Sequence, residues 1–166
     1  PETVINQIAA GEVVERPASI VKELIENSID AGADHIVIQL RSGGKSLIEI
    51  TDNGSGIAQD EIKKAFLRHA TSKITELTDL DSLLSLGFRG EALASIASVS
   101  MVTIETSTRS GAPEGKTLIL NHGEVIEETT ISRQPGTTIR VEHLFAKVPA
   151  RRKFLKSDRQ ELSAIT

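Results

Sequence analysis

Apolar residues recur at helical spacing between Pro17 and Gly32, and polar residues occupy the opposite face. The polar face carries three acids and one amide at positions i, i+3, i+4 and i+7, namely Glu23, Glu26, Asn27 and Asp30. The apolar face is formed by Ile20, Val21, Leu24, Ile25 and Ile29. Pro17 suits the first turn of a helix, and Gly32 suits the left-handed residue that follows its end. The pattern therefore predicts an amphipathic helix that packs on a sheet.

Alternating apolar and polar residues predict a β-hairpin after this helix, with strands over residues 35–41 and 47–51. Further strands are predicted over residues 99–106, 117–120, 124–131 and 137–141. Additional helices are predicted over residues 6–14, 59–70 and 91–97, at 151–155, and after a cap at Ser157 or Asp158. This order predicts an α+β fold, a two-layer sandwich with helices on one face of a mixed, mostly antiparallel sheet.

Length and composition limit the class of protein. The 166 residues suit one domain with a real core, and the absence of cysteine removes disulfides and thiolate metal sites. No apolar run approaches the ~20 residues of a membrane span, so we expect no membrane association. Because the chain begins without Met and stops inside a predicted helix, we expect it to be a fragment.

Charge is distributed unevenly along the chain. Residues 1–132 carry 11 basic and 20 acidic side chains, whereas residues 133–166 carry eight basic and three acidic ones. The acidic majority argues against a protein that coats DNA, but the basic tail remains a candidate for phosphate contacts. Its candidates are Arg151, Arg152, Lys153, Lys156 and Arg159. The alternative, slightly favoured because five charges make a small patch, is that they bind neighbouring acids or carbonyls.

The polar helix face carries groups suited to metal-assisted hydrolysis. The carboxylate of Glu23 can take a proton from water, and the amide oxygen of Asn27 is a hard ligand for Mg²⁺. A solvated polar face is the simpler interpretation of the helix taken alone.

A glycine-containing segment follows the second strand of the hairpin. Gly54 and Gly56 allow a ligand to approach the backbone, and Asp52 can accept a hydrogen bond from an exocyclic amine such as that of adenine. Taken alone, the segment is equally consistent with a tight turn. It is neither a dinucleotide fingerprint nor a P-loop, because GxGxxG and GxxxxGK[ST] are both missing.

Two other segments are compatible with phosphate or base contacts. Residues 87–90 place Gly87 and Gly90 immediately before a predicted helix, where free N–H groups and the helix dipole favour phosphate. Residues 71–73 add two hydroxyls and a cation, and Gly136 with Thr137 enters the last strand. Each of these segments, taken separately, is also an ordinary loop or turn.

Together these segments resemble the four ATP-site motifs of the superfamily that contains gyrase B subunits, the heat-shock chaperone ATPase and histidine kinases. The matching stretches, in order, are Glu23…Asn27, residues 52–56, residues 87–93 and Gly136-Thr137. Residues 6–17, 68–73 and 148–155 resemble more specifically the MutL family of DNA mismatch-repair ATPases. The resemblance covers nearly the whole chain and implies a Bergerat-type ATP-binding fold.

The resemblance implies a role for each matching residue. Glu23 would be the general base acting on water, Asn27 would ligate Mg²⁺, and Asp52 would bind the adenine amino group beside Thr137. Residues 71–90 would form a lid that orders on ATP and supplies the backbone N–H groups of Arg89 and Gly90 to phosphate. Glu26 and Asp30 are left as supporting or surface residues. The full ATP-binding set is Asn27, Asp52, Gly54, Gly56, Ile57, Thr71, Ser72, Lys73, Gly87, Phe88, Arg89, Gly90 and Thr137.

The resemblance also implies a biological role. Residues 1–166 would form the N-terminal ATP-binding domain, with Mg²⁺ and ATP as cofactors, and slow hydrolysis would act as a timer. Partners would be a mismatch-recognition protein, a nicking endonuclease, a helicase and, weakly and in a salt-sensitive manner, DNA. The location would be cytoplasmic in a bacterium or nuclear in a eukaryote. The full-length protein would dimerise through its N-terminal regions on binding ATP, whereas we expect the fragment to be a monomer.

Three departures from the family pattern bear on activity. This sequence does not contain the second domain, which supplies a lysine to the γ-phosphate, the C-terminal dimerisation domain or the first residues of the pattern. We therefore expect weak activity.

Two alternatives stay open: the ATPase domain of a type II topoisomerase subunit, and a non-enzymatic module that binds DNA through the basic tail.

Overall fold

The computed structural model of the protein describes residues 16–58, 61–62, 88–108 and 114–166. These residues contain a six-stranded sheet with the order β1-β2-β6-β3-β4-β5. Its strands are β1 (Ile36–Arg41), β2 (Leu47–Asp52), β3 (Met101–Ser107), β4 (Glu114–Asn121), β5 (Glu124–Ser132) and β6 (Gly136–Glu142). The prediction of an α+β fold with a mixed, mostly antiparallel sheet is confirmed, and the five neighbouring pairs of described strands are all antiparallel.

Four α-helices are described: α1 (Pro17–Asp30), α2 (Phe88–Ser98), α3 (Pro149–Lys153) and α4 (Asp158–Ile165). A 3₁₀ turn, Ser42–Gly44, joins β1 to β2 and completes the predicted hairpin. None of the described helices is long and apolar enough to cross a membrane. The predicted helices over residues 6–14 and 59–70 lie outside the described residues, apart from a turn at 61–62.

Both ends of α1 follow from local sequence. Pro17 occupies the first helical turn, where its missing N–H leaves no hydrogen bond unmade. At the other end Gly32 adopts a left-handed φ of 77° and donates its N–H to Ile29 O. The next residue, Ala33, donates to Ser28 O at 3.1 Å, which completes a Schellman motif and ends the helix.

The core lies between the helices and one face of the sheet. α1 packs on β2, and α2 packs on β3 and β4. Alternate residues of the four central strands supply the aliphatic contacts, namely Ile48, Ile50, Val102, Ile104, Leu118, Leu120, Ile139 and Val141. On β2 and β6 the opposite face is polar apart from Leu47, and it carries an ion pair between Arg140 and Glu49 at 2.8 Å. The alternation therefore places residues 52 and 137, at the strand ends, on the helix-covered face.

The prediction of the apolar face of α1 is wrong at one residue. Ile29 is 59% exposed, whereas Ser28 is buried. The buried stripe runs through Ile20, Leu24 and Ser28, which are spaced four residues apart and lie one above another on a helix. The helix therefore turns a hydroxyl, and not an isoleucine, towards the end of β2.

Helix α4 is attached to the start of α1 by a buried carboxylate. Glu161 is almost completely buried, and its Oε1 accepts hydrogen bonds from Arg16 Nε at 3.1 Å and Nη2 at 2.8 Å. Its Oε2 accepts the backbone N–H of Lys156 at 3.1 Å. Ser157 caps α4 through a capping box, as predicted. A nearby pair, Lys45 with Asp158 at 2.6 Å, is more exposed.

Replacing Arg16 by alanine should lower the free energy of unfolding by about 1–3 kcal/mol, because Glu161 would keep its burial and lose two donors. Lys45→Ala is the matched control, and it should cost no more than about 1 kcal/mol because Asp158 stays solvated. Urea unfolding followed by circular dichroism measures both. Equal losses in the two variants would contradict the assignment of Glu161 as the dominant contact.

Candidate functional site

Three neighbouring strands bring polar residues together at one edge of the core. Asp52 of β2 lies opposite Thr137 of β6, and Thr137 in turn lies opposite Thr106 of β3. All three side chains are buried, and each continues the alternation that places Ile50, Ile139 and Ile104 in the core. A row of one carboxylate and two hydroxyls therefore replaces aliphatic packing where these strands end.

Asp52 is satisfied by donors from two separate segments. Its Oδ2 accepts the hydroxyl of Ser28 on α1 at 2.7 Å, and its Oδ1 accepts the N–H of Gly54 at 2.9 Å. An ionised carboxylate offers about four lone-pair sites, so these two bonds leave acceptor capacity for a third donor. The arrangement joins the C-terminal half of α1 to the loop after β2.

The hydroxyl of Thr106 makes three contacts. It accepts the N–H of Ile57 at 2.9 Å, lies 2.8 Å from the hydroxyl of Thr137, and donates to Gly136 O at 3.1 Å. These contacts join the loop after β2, the start of β6 and the end of β3. Thr106 therefore holds the end of the Asp52–Ile57 segment against the sheet.

The glycines of this segment are required by close packing. A Cβ on Gly54 would lie 2.8 Å from the Cβ of Ala31 at the end of α1. Gly56 has a left-handed φ of 74°, and its Cβ would collide with the carbonyl oxygen of Ser107. Gly136 likewise has a φ of 132° and leaves no room for a Cβ beside the carbonyl oxygen of Asp52. The glycines dock the loop onto its neighbours, a role that sequence reasoning had not given them.

The polar face of α1 divides into a buried and an exposed part. Glu26 and Asp30 are exposed, whereas Glu23 and Asn27 are half-buried. Both amide atoms of Asn27 are buried and have no hydrogen-bond partner within the part of the chain that the structure describes. A buried amide oxygen without a donor is a ligand available to a hard cation, so the residue fits Mg²⁺.

The predicted phosphate segment is only partly described. Helix α2 begins at Phe88, so Gly90 lies inside its first turn. The sequence had predicted that Gly90 lies before the helix. The first four N–H groups of a helix have no partner within it, and Arg89 and Gly90 both belong to this first turn. Thr71, Ser72, Lys73 and Gly87 lie outside the described residues.

The basic tail lies on and after α3. The guanidinium of Arg151 stacks over the ring of buried Phe145, 5.1 Å from its centroid, whereas Arg152 and Lys153 are exposed. Arg151 is thus partly used in packing, and the exposed pair remains available to phosphate. Lys156 donates its backbone N–H to Glu161 while its side chain is exposed.

Sequence reasoning missed two residues of the site. Ser28 was predictable from its four-residue spacing to Leu24, since a serine in a buried helical stripe needs a partner. Thr106 gave no such indication, because a threonine in a strand is ordinary and its contacts come from residues 30 or more positions away.

Most of the chain matches a known protein family. Residues 15–148 match the family described as histidine kinase-, DNA gyrase B-, and HSP90-like ATPase. The chain is 58% identical over 165 residues to the DNA mismatch repair protein MutL of Xanthomonas oryzae, and 56% identical over 166 residues to that of Halothermothrix orenii. These matches cover 99% and 100% of the chain, but the chain spans only about a quarter (26%) of each relative.

Two solved structures of DNA repair proteins are similar in fold to this chain. The ATPase domain of Aquifex aeolicus MutL complexed with ADP superposes with a TM-score of 0.71 and 30% identity, covering 92% of this chain and 52% of that one. The N-terminal domain of a DNA repair protein superposes with a TM-score of 0.78 and 33% identity, covering 97% and 46%.

Gly56→Ala should destabilise the fold more than Gly32→Ala, although both glycines have nearly the same left-handed φ. Among the residues that the structure describes, and apart from Gly32 and its two chain neighbours, no atom lies within 4 Å of the position that a Cβ on Gly32 would take. Alanine there therefore adds only backbone strain of about 1–2 kcal/mol. At Gly56 the collision with Ser107 should add about 1–3 kcal/mol. Thermal unfolding of both variants measures the difference, and equal midpoints would contradict the close packing of the loop.

Proposed function

Because the chain belongs to the family of histidine kinase-, DNA gyrase B- and HSP90-like ATPases, we propose that it is the N-terminal ATP-binding domain of a MutL-type DNA mismatch-repair protein. The observation that carries the proposal is the Ser28–Asp52 hydrogen bond at 2.7 Å. It places the helix that carries Glu23 and Asn27 directly beside the aspartate at the end of β2. The names of the relatives favour this function over a topoisomerase subunit.

Asp52 and Thr137 are the proposed base subsite. Both lie at strand ends on the helix-covered face, and Asp52 retains unused lone pairs after binding Ser28 and Gly54. The exocyclic amine of adenine is a donor and would bind one of them. Gly54, Gly56 and Ile57 would hold this subsite in shape through their contacts with Ala31, Ser107 and Thr106.

The polar face of α1 is the proposed hydrolytic subsite. Glu23 would orient a water and take its proton, and Asn27, one turn further along α1, would offer its buried amide oxygen to Mg²⁺. Bound Mg²⁺ would neutralise charge on the phosphates. The first-turn N–H groups of Arg89 and Gly90 would bind phosphate oxygens. Thr71, Ser72, Lys73, Gly87 and Phe88 stay predictions for the lid.

In the whole protein, slow hydrolysis would time the pairing of N-terminal regions and the choice of partners. We propose a mismatch-recognition protein, a nicking endonuclease and a helicase as those partners, acting near DNA in the cytoplasm of a bacterium. The exposed side chains of Arg152 and Lys153 would add a weak DNA contact that salt screens. Activity of this chain alone would be low, because the family's γ-phosphate lysine belongs to a second domain.

Asp52→Asn should weaken ATP binding by about 30-fold or more, because an amide would turn an N–H donor towards the adenine amine at a cost of about 2 kcal/mol. The fold should persist, since an amide can still accept from Gly54 and donate to Ser28. Titration with ATP and Mg²⁺ in a calorimeter measures the affinity. Glu49→Gln is the matched control, a carboxylate-to-amide change on the opposite face of β2, and its affinity should equal the wild type.

Glu23→Ala should bind ATP within about threefold of the wild type and lose about 10²–10⁴-fold in turnover, the usual contribution of a general base. Glu26→Ala, an exposed carboxylate on the same helix, should keep both binding and turnover. Phosphate release under saturating ATP and Mg²⁺ provides the rate. Turnover by Glu23→Ala at the rate of Glu26→Ala would refute the assignment of the base.

A further inference from the structure

We propose that Thr106 is a positioning residue that sets the hydrogen-bonding polarity of Thr137, so that the base subsite favours a 6-amino purine over a 6-oxo purine. The inference rests on the proposed function, since it takes Asp52 and Thr137 as the base subsite. Thr106 itself need not touch the base. Its effect passes through the hydroxyl of its neighbour.

Proton counting at Thr106 gives the direction of each bond. A threonine hydroxyl has one proton and two lone pairs. The carbonyl oxygen of Gly136 has no proton, so the bond at 3.1 Å uses the proton of Thr106. The N–H of Ile57 is a donor and occupies one lone pair. The remaining contact, 2.8 Å to the hydroxyl of Thr137, must therefore be donated by Thr137.

Thr137 then has no proton left for a ligand. With its hydroxyl proton committed to Thr106, it presents only lone pairs to the subsite. Asp52 also presents only lone pairs, because its two protein contacts are both donated to it. Both side chains are thus acceptors. An amine at the 6-position of a purine satisfies them, whereas a carbonyl there would place acceptor against acceptor.

The arrangement is rigid enough to carry selectivity. Thr106 and Thr137 lie directly opposite each other on antiparallel strands, and both are buried. Threonine is branched at Cβ and holds few χ1 rotamers. Turning Thr106 away would break its contacts with Ile57 and Gly136, and turning Thr137 away would break its contact with Thr106. Removing the hydroxyl of Thr106 would free that of Thr137 to rotate and donate.

The test compares the affinities of the 166-residue chain for ATP and inosine triphosphate, which carries a 6-oxo group, in the presence of Mg²⁺. Thr106→Val removes the hydroxyl at nearly constant volume, and Thr106→Ser retains it. The wild type should prefer ATP. In Thr106→Val the ratio of the affinity for ATP to that for inosine triphosphate should fall by about tenfold. In Thr106→Ser this ratio should stay within about threefold of the wild-type ratio. Loss of the Ile57 contact would weaken the binding of both nucleotides by the same factor, so it would leave the ratio of the two affinities unchanged.

A second background separates positioning from general damage. In Thr137→Val, the further change Thr106→Val should leave the ATP preference unaltered, because there is no hydroxyl to redirect. If the preference for ATP fell by the same factor in the Thr137→Val background, the inference would be overturned. It would also be overturned if Thr106→Val alone left the preference unchanged, or if the wild type showed no preference. Circular dichroism verifies folding, and Thr106→Ala carries the same comparison if the valine variant is unfolded.

The same titrations separate this inference from the proposed function. A wild-type chain that binds neither nucleotide would refute the assignment of the base subsite itself. A wild type that binds ATP and prefers it, with a Thr106→Val variant of equal preference, would remove only the role of Thr106.

Discussion

The burial of the Asp52 carboxylate is the constraint on which the site depends. A charge taken out of water costs several kcal/mol unless donors replace the solvent, and here the donors come from α1 and from the following loop. Neither segment can move away without leaving Asp52 under-bonded. The helix with the proposed hydrolytic residues is therefore held in register with the strand that carries the proposed base contact.

Helix α1 is fixed at both ends. At its start, Pro17 lies against Gly44 so closely that a Cβ there would come within 2.9 Å, and Arg16 binds buried Glu161. At its end, the carbonyl oxygen of Ala31 accepts the N–H of Ser55 at 2.9 Å. Glu23 and Asn27 lie between these attachments. A displacement of α4 would act on the start of the same helix, which gives the C-terminal segment a physical connection to the proposed site.

Local pattern was sufficient for the elements but not for their contacts. The two caps of α1, the hairpin and the four later strands follow from periodicity and turn residues within a few positions, so they were predictable. The pairing of Thr106 with Thr137 depends on the strand order, which places β6 between β2 and β3, and short-range pattern holds no information on that order. The burial of Ser28 in place of Ile29 could not be predicted, because the partner of its hydroxyl, Asp52, lies 24 residues further along the chain.

The spacing Asp-x-Gly-x-Gly has a physical explanation that unites its structural and functional interpretations. The aspartate accepts the N–H two residues on, a turn that brings the backbone of Gly54 against Ala31, where a side chain would collide. Two residues later the chain must pass the end of β3 with a left-handed φ, and Gly56 provides it. Ile57 then donates to Thr106, which closes the loop onto the sheet. The close packing of the two glycines therefore fixes the position of the Asp52 carboxylate. A ligand of Asp52 would meet a carboxylate that is already in place, although it would not contact that packing itself.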